Sequence, residues 1–246
     1  MSDEVQEQEF YTGKEAYLST IFSRWRTFHI ITMTVTFLSA LIACFSFVAY
    51  GSKFQPYCPL FAKLRISKIE ANSKNYTLYF KVKKKEPDGS IWGPDSVCAV
   101  VLYTPIVSML TALTWILLFC SHIGQRTAKG NFSYSSQWKL VPPACITGFM
   151  MTGVAFAAAV ILTIGGSKFC DSFTVTELES CEMAQRVHWV SRQQMHAFYD
   201  YLKQAQICYW LITHSWLLHS IIASIRWNTD ADYVIAEERE LVENAR

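Results

Sequence analysis

Apolar residues gather in four long stretches, near 28–50, 97–120, 142–166 and 205–226, with polar segments between them. Each is about the 20 residues a helix needs to cross a hydrocarbon core ~30 Å thick. The pattern predicts an all-α membrane bundle of four transmembrane helices. The intervening segments become an amino-terminal tail (1–27), a first outer loop (51–96), an inner loop (121–141), a second outer loop (167–204) and a carboxyl-terminal tail (227–246). Within the first outer loop the period changes. Leu64, Ile66 and Ile69 have polar neighbours, Asn72 to Asn75 supply turn chemistry, and Tyr76, Leu78, Phe80 and Val82 alternate with polar or solvent-facing positions. Two alternating runs about a turn predict a β-hairpin cap. A two-stranded hairpin is marginal alone, so it is expected to rest on the second outer loop or on a partner.

The amino-terminal tail carries its own periodicity. Thr12 and Glu15 have the spacing of a capping box, and Tyr17, Leu18, Ile21, Phe22, Trp25 and Phe28 follow at helical intervals. This predicts an amphipathic helix lying in the interface and turning into the first span. That span starts too late and runs too long for a cleavable signal, so it reads as a signal anchor.

Composition sharpens the class. The 246 residues are 51% hydrophobic and 15% aromatic but only 17% charged, against about 25% charged in ordinary soluble domains. The expectation is one membrane domain embedded in lipid. A formal net charge of +2 gives no reason to expect a nucleic-acid partner.

Orientation rests on several signals. The first outer loop is the most basic, against the positive-inside rule. Yet Cys58 and Cys98 flank that loop, and Cys170 and Cys181 lie in the loop on the same side. Four cysteines on one face suit an oxidising compartment, and their three pairings are all open. Asn75-Tyr-Thr, in the middle of the first outer loop, is a glycosylation acceptor on that face. Arg24 and Arg26 stand just before the first span. Both termini are therefore expected in the cytosol, with the cap facing the cell exterior or the lumen of a secretory vesicle.

Chemistry within the spans is sparse. Pro142 and Pro143 suit a helix start, and small residues recur at Ala144, Gly148 and Thr152 and again at Gly153 and Ala157. Such spacing lets backbones approach; packing within the bundle is read ahead of self-association into a homo-oligomer. Pro105 should free a carbonyl that a neighbour must satisfy. Thr32, Thr34 and Thr36 can bond their own helix. His214, mid-way along the fourth span, is the candidate intramembrane polar site. Lys83, Lys84 and Lys85 form a basic run that would suit an acidic partner or keep an edge strand soluble. His188, His196, Glu182 and Asp200 match no zinc spacing. No hydrolase or phosphate-binding motif is found. No enzyme activity, metal or cofactor is expected.

Several short segments carry a resemblance. Cys58-Pro-Leu-Phe61, Trp92-Gly-Pro-Asp-Ser-Val-Cys98, Cys170-Asp-Ser-Phe-Thr174, Ser180-Cys181-Glu182, Phe198-Tyr-Asp200, Ala205-Gln206 and Trp210 occur in one order, followed by Glu238-Arg-Glu-Leu241. Together they resemble the transmembrane protein 179 family, which implies a multi-pass membrane protein and supplies no catalytic residues. Claudins are a looser likeness, sharing four spans and a disulfide-bearing first loop; Trp92-Gly93 is followed here by Pro94 where claudins continue Leu-Trp. The expected function is a non-enzymatic accessory or scaffold subunit binding another integral membrane protein, such as a channel or receptor. The alternatives are a small proton-linked transporter or channel using His214, and claudin-like adhesion.

Overall fold

The computed structural model describes residues 2–69, 79–82, 90–121, 140–174, 180–186, 188–189 and 196–229, with the backbone alone for 2–23, 66–69, 79–82, 121, 174 and 188–189. Four long helices dominate: α1 (Ser2–Ser52), α2 (Asp95–Ser121), α3 (Val141–Thr174) and α5 (Phe198–Asn228), with a single turn, α4 (Cys181–Ala184), before the last. Three contain stretches long and apolar enough to cross a membrane, Arg24–Ser52, Asp95–Cys120 and Val141–Phe173. The fourth, α5, is 31 residues long, but Gln206, Thr213, His214, Ser215, His219, Ser220 and Ser224 interrupt its apolar run.

Around the bundle, α5 lies between α1 and α3, and α2 packs on α1 and also against α3. That leaves α2 and α5 diagonal to each other. Small residues make the approaches close. Gly148 of α3 lies against α5, where a Cβ would come within 2.5 Å of Ser220 Oγ. Apolar stripes face outward, through Ile31, Val35, Leu38, Ile42 and Phe45 on α1 and through Val100, Tyr103, Val107, Leu110 and Leu117 on α2.

Two expectations about helix ends change. The helix start predicted at Thr12 falls inside α1, which runs unbroken from Ser2, so no turn separates the tail from the span. The helix of the third span, read from the sequence as 142–166, runs on to Thr174. Gly165 and Gly166 do not end it, because both are contact points: a Cβ at Gly165 would meet the Phe61 ring at 2.8 Å, and one at Gly166 the Gln206 amide at 2.9 Å. At 34 residues, α3 is about 50 Å long at 1.5 Å per residue. It therefore overhangs a ~30 Å hydrocarbon core.

The overhang carries the cap. Strand β1 (Cys58–Lys63) pairs antiparallel with β4 (Ile91–Gly93), with an irregularity between Cys58 and Lys63 where Phe61 has a positive φ of 60°. Strand β2 (Ile66–Ile69) pairs antiparallel with β3 (Tyr79–Val82), register Ile66 to Val82 through Ile69 to Tyr79. That is the predicted hairpin; its turn lies outside the described residues. Its support comes from the segment between α4 and α5, whose β5 (His188–Trp189) pairs parallel with β3.

Candidate functional site: the outer cap and the polar seam of the last helix

The cap is fixed to the bundle in layers. Beneath it, Tyr50 and Phe54 from the end of α1, Phe169 and Phe173 from α3 and Phe198 from the start of α5 form a fully buried aromatic cluster. Its Phe54–Phe169, Phe54–Phe198 and Phe169–Phe198 centroids lie 5.1, 5.8 and 5.9 Å apart, edge to face, a favoured arrangement of ring quadrupoles. Strand β1 is tied to α3 through Ser172, whose hydroxyl accepts from the Leu64 N–H at 3.1 Å and donates to the Ala62 carbonyl at 3.3 Å. Gly93 is held flush against β1: a Cβ there would collide with the Leu60 carbonyl.

Cysteine pairing completes the frame. Cys58 bonds Cys98, joining β1 to the first turn of α2, and Cys170 bonds Cys181, joining α3 to α4. The second bridge also positions Gln185, a buried residue that sequence reasoning missed. Ala197 at the start of α5 offers no side-chain cap. The Gln185 side chain supplies one from outside, accepting from the Tyr199 and Asp200 N–H groups at 3.1 and 3.3 Å and donating to Asp200 Oδ1 at 3.1 Å. Orphan donors at a helix start need such partners. No local signal marks this role, because the cap is fourteen residues distant from Tyr199.

An aromatic rim remains open on the cap. Tyr57 and Trp92 stack at 4.9 Å with rings 14° from parallel. Tyr57 is exposed, Trp92 half-buried, and the adjacent Ile91 is 67% exposed. The candidate residues Asn75 and Lys83 to Lys85 lie outside the described residues.

Below the cap, α5 bonds all three other long helices. The Tyr209 hydroxyl donates to the Val101 carbonyl of α2, the carbonyl four residues before Pro105 that a helix leaves without a donor. The acceptor foreseen from Pro105 thus finds its partner on the diagonal helix. Trp216 Nε1 donates to Ser108 Oγ of α2 at 2.7 Å, Trp210 Nε1 to Thr163 Oγ1 of α3 at 3.3 Å, and Cys145 Sγ meets Ser224 Oγ at 3.2 Å. Toward the opposite end of the bundle, His219 Nδ1 faces His29 Nδ1 of α1 at 3.0 Å.

The candidate intramembrane residue His214 is not part of that pair. His214 is exposed on the outward side of α5, in line with Ile207, Leu211, Leu218, Ile221 and Ile225. Its Nδ1 meets only its own helix, at the Trp210 carbonyl, 2.6 Å away. Five residues, or about 140° around the helix, separate it from His219, which is fully buried. His29, assigned to the start of the first span, carries no sequence signal at all. The threonines behave as read: Thr32, Thr34 and Thr36 donate to carbonyls of their own helix.

The small-residue series divides in the same way. Ala144 and Gly148 are buried against the bundle and Thr152 is half-buried, its hydroxyl donating to the Gly148 carbonyl at 2.8 Å. Gly153 and Ala157 are exposed on the outer face, and nothing lies within 4 Å of a Cβ built at Gly153. The inward series is continued by Ala155, Ala158 and Ala159 instead. Among the described residues no three His, Cys, Asp or Glu side chains come together as a metal cluster would require.

The fold and its cysteine frame agree with a comparison of the chain with protein families. The family model for the transmembrane protein 179/179B claudin domain matches residues 25–243. The chain belongs to this family. As a claudin-domain protein it is an integral membrane protein. No curated protein and no solved structure matches the chain.

Proposed function

We propose that this claudin-domain protein is a non-enzymatic accessory or scaffold subunit, crossing the membrane four times with both termini in the cytosol. In this reading α5 is the fourth span. Tyr209, Trp210, Trp216, His219 and Ser224 turn to partners on α1, α2 and α3, while its outward face carries Ile207, Leu211, Leu218, Ile221 and Ile225 together with His214. The observation that carries the functional reading is the cap. Two disulfides, the Ser172 bonds and the aromatic cluster hold it on an overhanging helix, and it presents the Tyr57–Trp92 stack and Ile91 outward. A rigid apolar-aromatic patch with a polar surround is the composition of an interface centre. The partner is another integral membrane protein with a matching outer surface, such as a channel or receptor.

The test is co-purification. With a tag on the carboxyl tail and extraction in mild detergent, a stoichiometric membrane protein should be recovered, and Ile91→Asp with Tyr57→Ser should release it. Recovery of the chain alone from native membranes would end this reading. The claudin-domain match favours a second one, adhesion between cells through the outer loops. It predicts aggregation of expressing cells that is lost when Lys83, Lys84 and Lys85 become Glu.

A further inference from the structure

We infer that His29 and His219 form a two-proton latch that holds the inner ends of α1 and α5 together when both rings are neutral and releases them on acidification. The geometry is specific. The two Nδ1 atoms are 3.0 Å apart, and the side chains are 2% and 0% exposed. Phe119 of α2 stacks on His29 at 5.2 Å, Trp216 meets His219 edge-on at 5.8 Å, and Trp115 lies 6.5 Å from His219. Behind His219, α3 contributes Gly148, where a Cβ would approach the imidazole Cδ2 to 3.2 Å, and the Ala144 backbone, which interacts with the imidazole as a hydrogen-bond acceptor. The pair is therefore buried and flanked by aromatic rings.

The proton count decides the state. A neutral imidazole carries one N–H, so one Nδ1 donates and the other accepts. Uptake of one proton keeps that bond but buries a charge. Uptake of two puts a hydrogen on both Nδ1 atoms, and the contact becomes a repulsion. Around the pair, the Ala144 backbone is a neutral acceptor, and no described carboxylate balances a second charge. The ionisable side chain facing it from α1 is Arg26, three residues before His29, whose Nε is buried without a hydrogen-bond partner. From α5 it is the buried Arg226, within electrostatic reach of His29. From α3 it is the Cys145 thiol, engaged with Ser224, and from α2 the exposed Cys120 thiol. No described carboxylate lies at this end; Asp95, Asp171, Glu182 and Asp200 all belong to the capped end. A buried charge without a counter-ion is strongly disfavoured.

Protons consequently bind when the seam parts. Once released to water, each imidazole titrates near its ordinary value of about 6.5. At a pH of about 5, each then biases the equilibrium toward the open seam by roughly 30-fold, and the two together by about 1000-fold. The sign follows directly: the closed seam is favoured above the ordinary histidine value and loses its advantage as pH falls below it.

The experiment uses the full chain in lipid nanodiscs, with spin labels at Phe28→Cys and Trp227→Cys and the free cysteines 44, 120, 145 and 208 replaced by alanine. Both label positions are exposed, one residue from His29 on α1 and about two turns beyond His219 on α5. Pulsed dipolar spectroscopy should show their separation lengthening by at least about 2 Å, the scale of helix shifts at interfaces, between about pH 7.5 and about pH 5. The double variant His29→Gln with His219→Gln keeps a hydrogen-bonding pair that does not titrate, and should hold one separation throughout. His29→Gln alone should open only at lower pH, with a bias of roughly 30-fold. A wild-type pair of histidines whose label separation ignores pH, or variants that lengthen as much as the wild type, would overturn the latch.

Discussion

The two ends of the bundle are held by different means. At the capped end, two disulfides, the β1–β4 pair, the Phe54–Phe169–Phe198 cluster and the Gln185 cap overlap on the same few helix termini. At the other end the contacts are side-chain hydrogen bonds and ring packing, centred on His29 and His219. Covalent closure acts on the unfolded chain and persists at any pH. A histidine contact acts on the folded chain and depends on proton count. The molecule thus has an end built to keep one shape and an end able to change it.

That contrast can be broken in graded steps. The largest effect is expected from opening the frame. Replacing Cys58 and Cys98 by Ser frees a loop of 40 residues and should cost up to about 4 kcal/mol, and the Cys170–Cys181 pair up to about 3, on the chain-entropy account. Thermal unfolding in detergent with and without reductant measures this. A loss confined to the capped end, seen as faster hydrogen exchange in α4 and the start of α5, fits the comparison; exchange rising equally at both ends does not.

Tyr209→Phe comes next. It strips the donor from the Val101 carbonyl in the middle of the bundle and should cost about 1–3 kcal/mol. The same change in a Pro105→Ala background should cost much less, since residue 105 then offers its own N–H to that carbonyl. Equal costs in the two backgrounds would mean the hydroxyl serves something else. Gln185→Ala should cost about 1 kcal/mol, as for the loss of an N-cap, and should speed exchange of the Tyr199 and Asp200 amides in particular.

The smallest effect is the sharpest test of which histidine matters. His214→Leu replaces a polar ring on the outward apolar stripe and should change stability by no more than about 0.5 kcal/mol, with no loss of any function. A large effect there would return the intramembrane site to His214.

The same division separates what was legible in the chain from what was not. The long apolar helices, the gathering of four cysteines at one end of the bundle and the alternation of Phe80 and Val82 are properties of period and composition, and a bilayer imposes few alternatives on a 20-residue apolar run. The carbonyl freed by Pro105 was also legible, because the missing N–H is local covalent chemistry. Its donor was not: Tyr209 lies more than a hundred residues away, on the diagonal helix. Nor was the continuation of α3 through Gly165 and Gly166, where the glycines accommodate Phe61 and Gln206.

The sequence by itself therefore determined a membrane protein of long helices with its disulfide cysteines gathered at one end, since hydropathy, helix period and redox chemistry act residue by residue. Tertiary structure alone decided which histidine is buried, which small residues pack, which glutamine caps α5 and which end of the bundle is free to open. Each depends on the rotation of one helix against another. A helix turns by about 100° per residue, and five residues separate His214 in the outward stripe from His219 in the core.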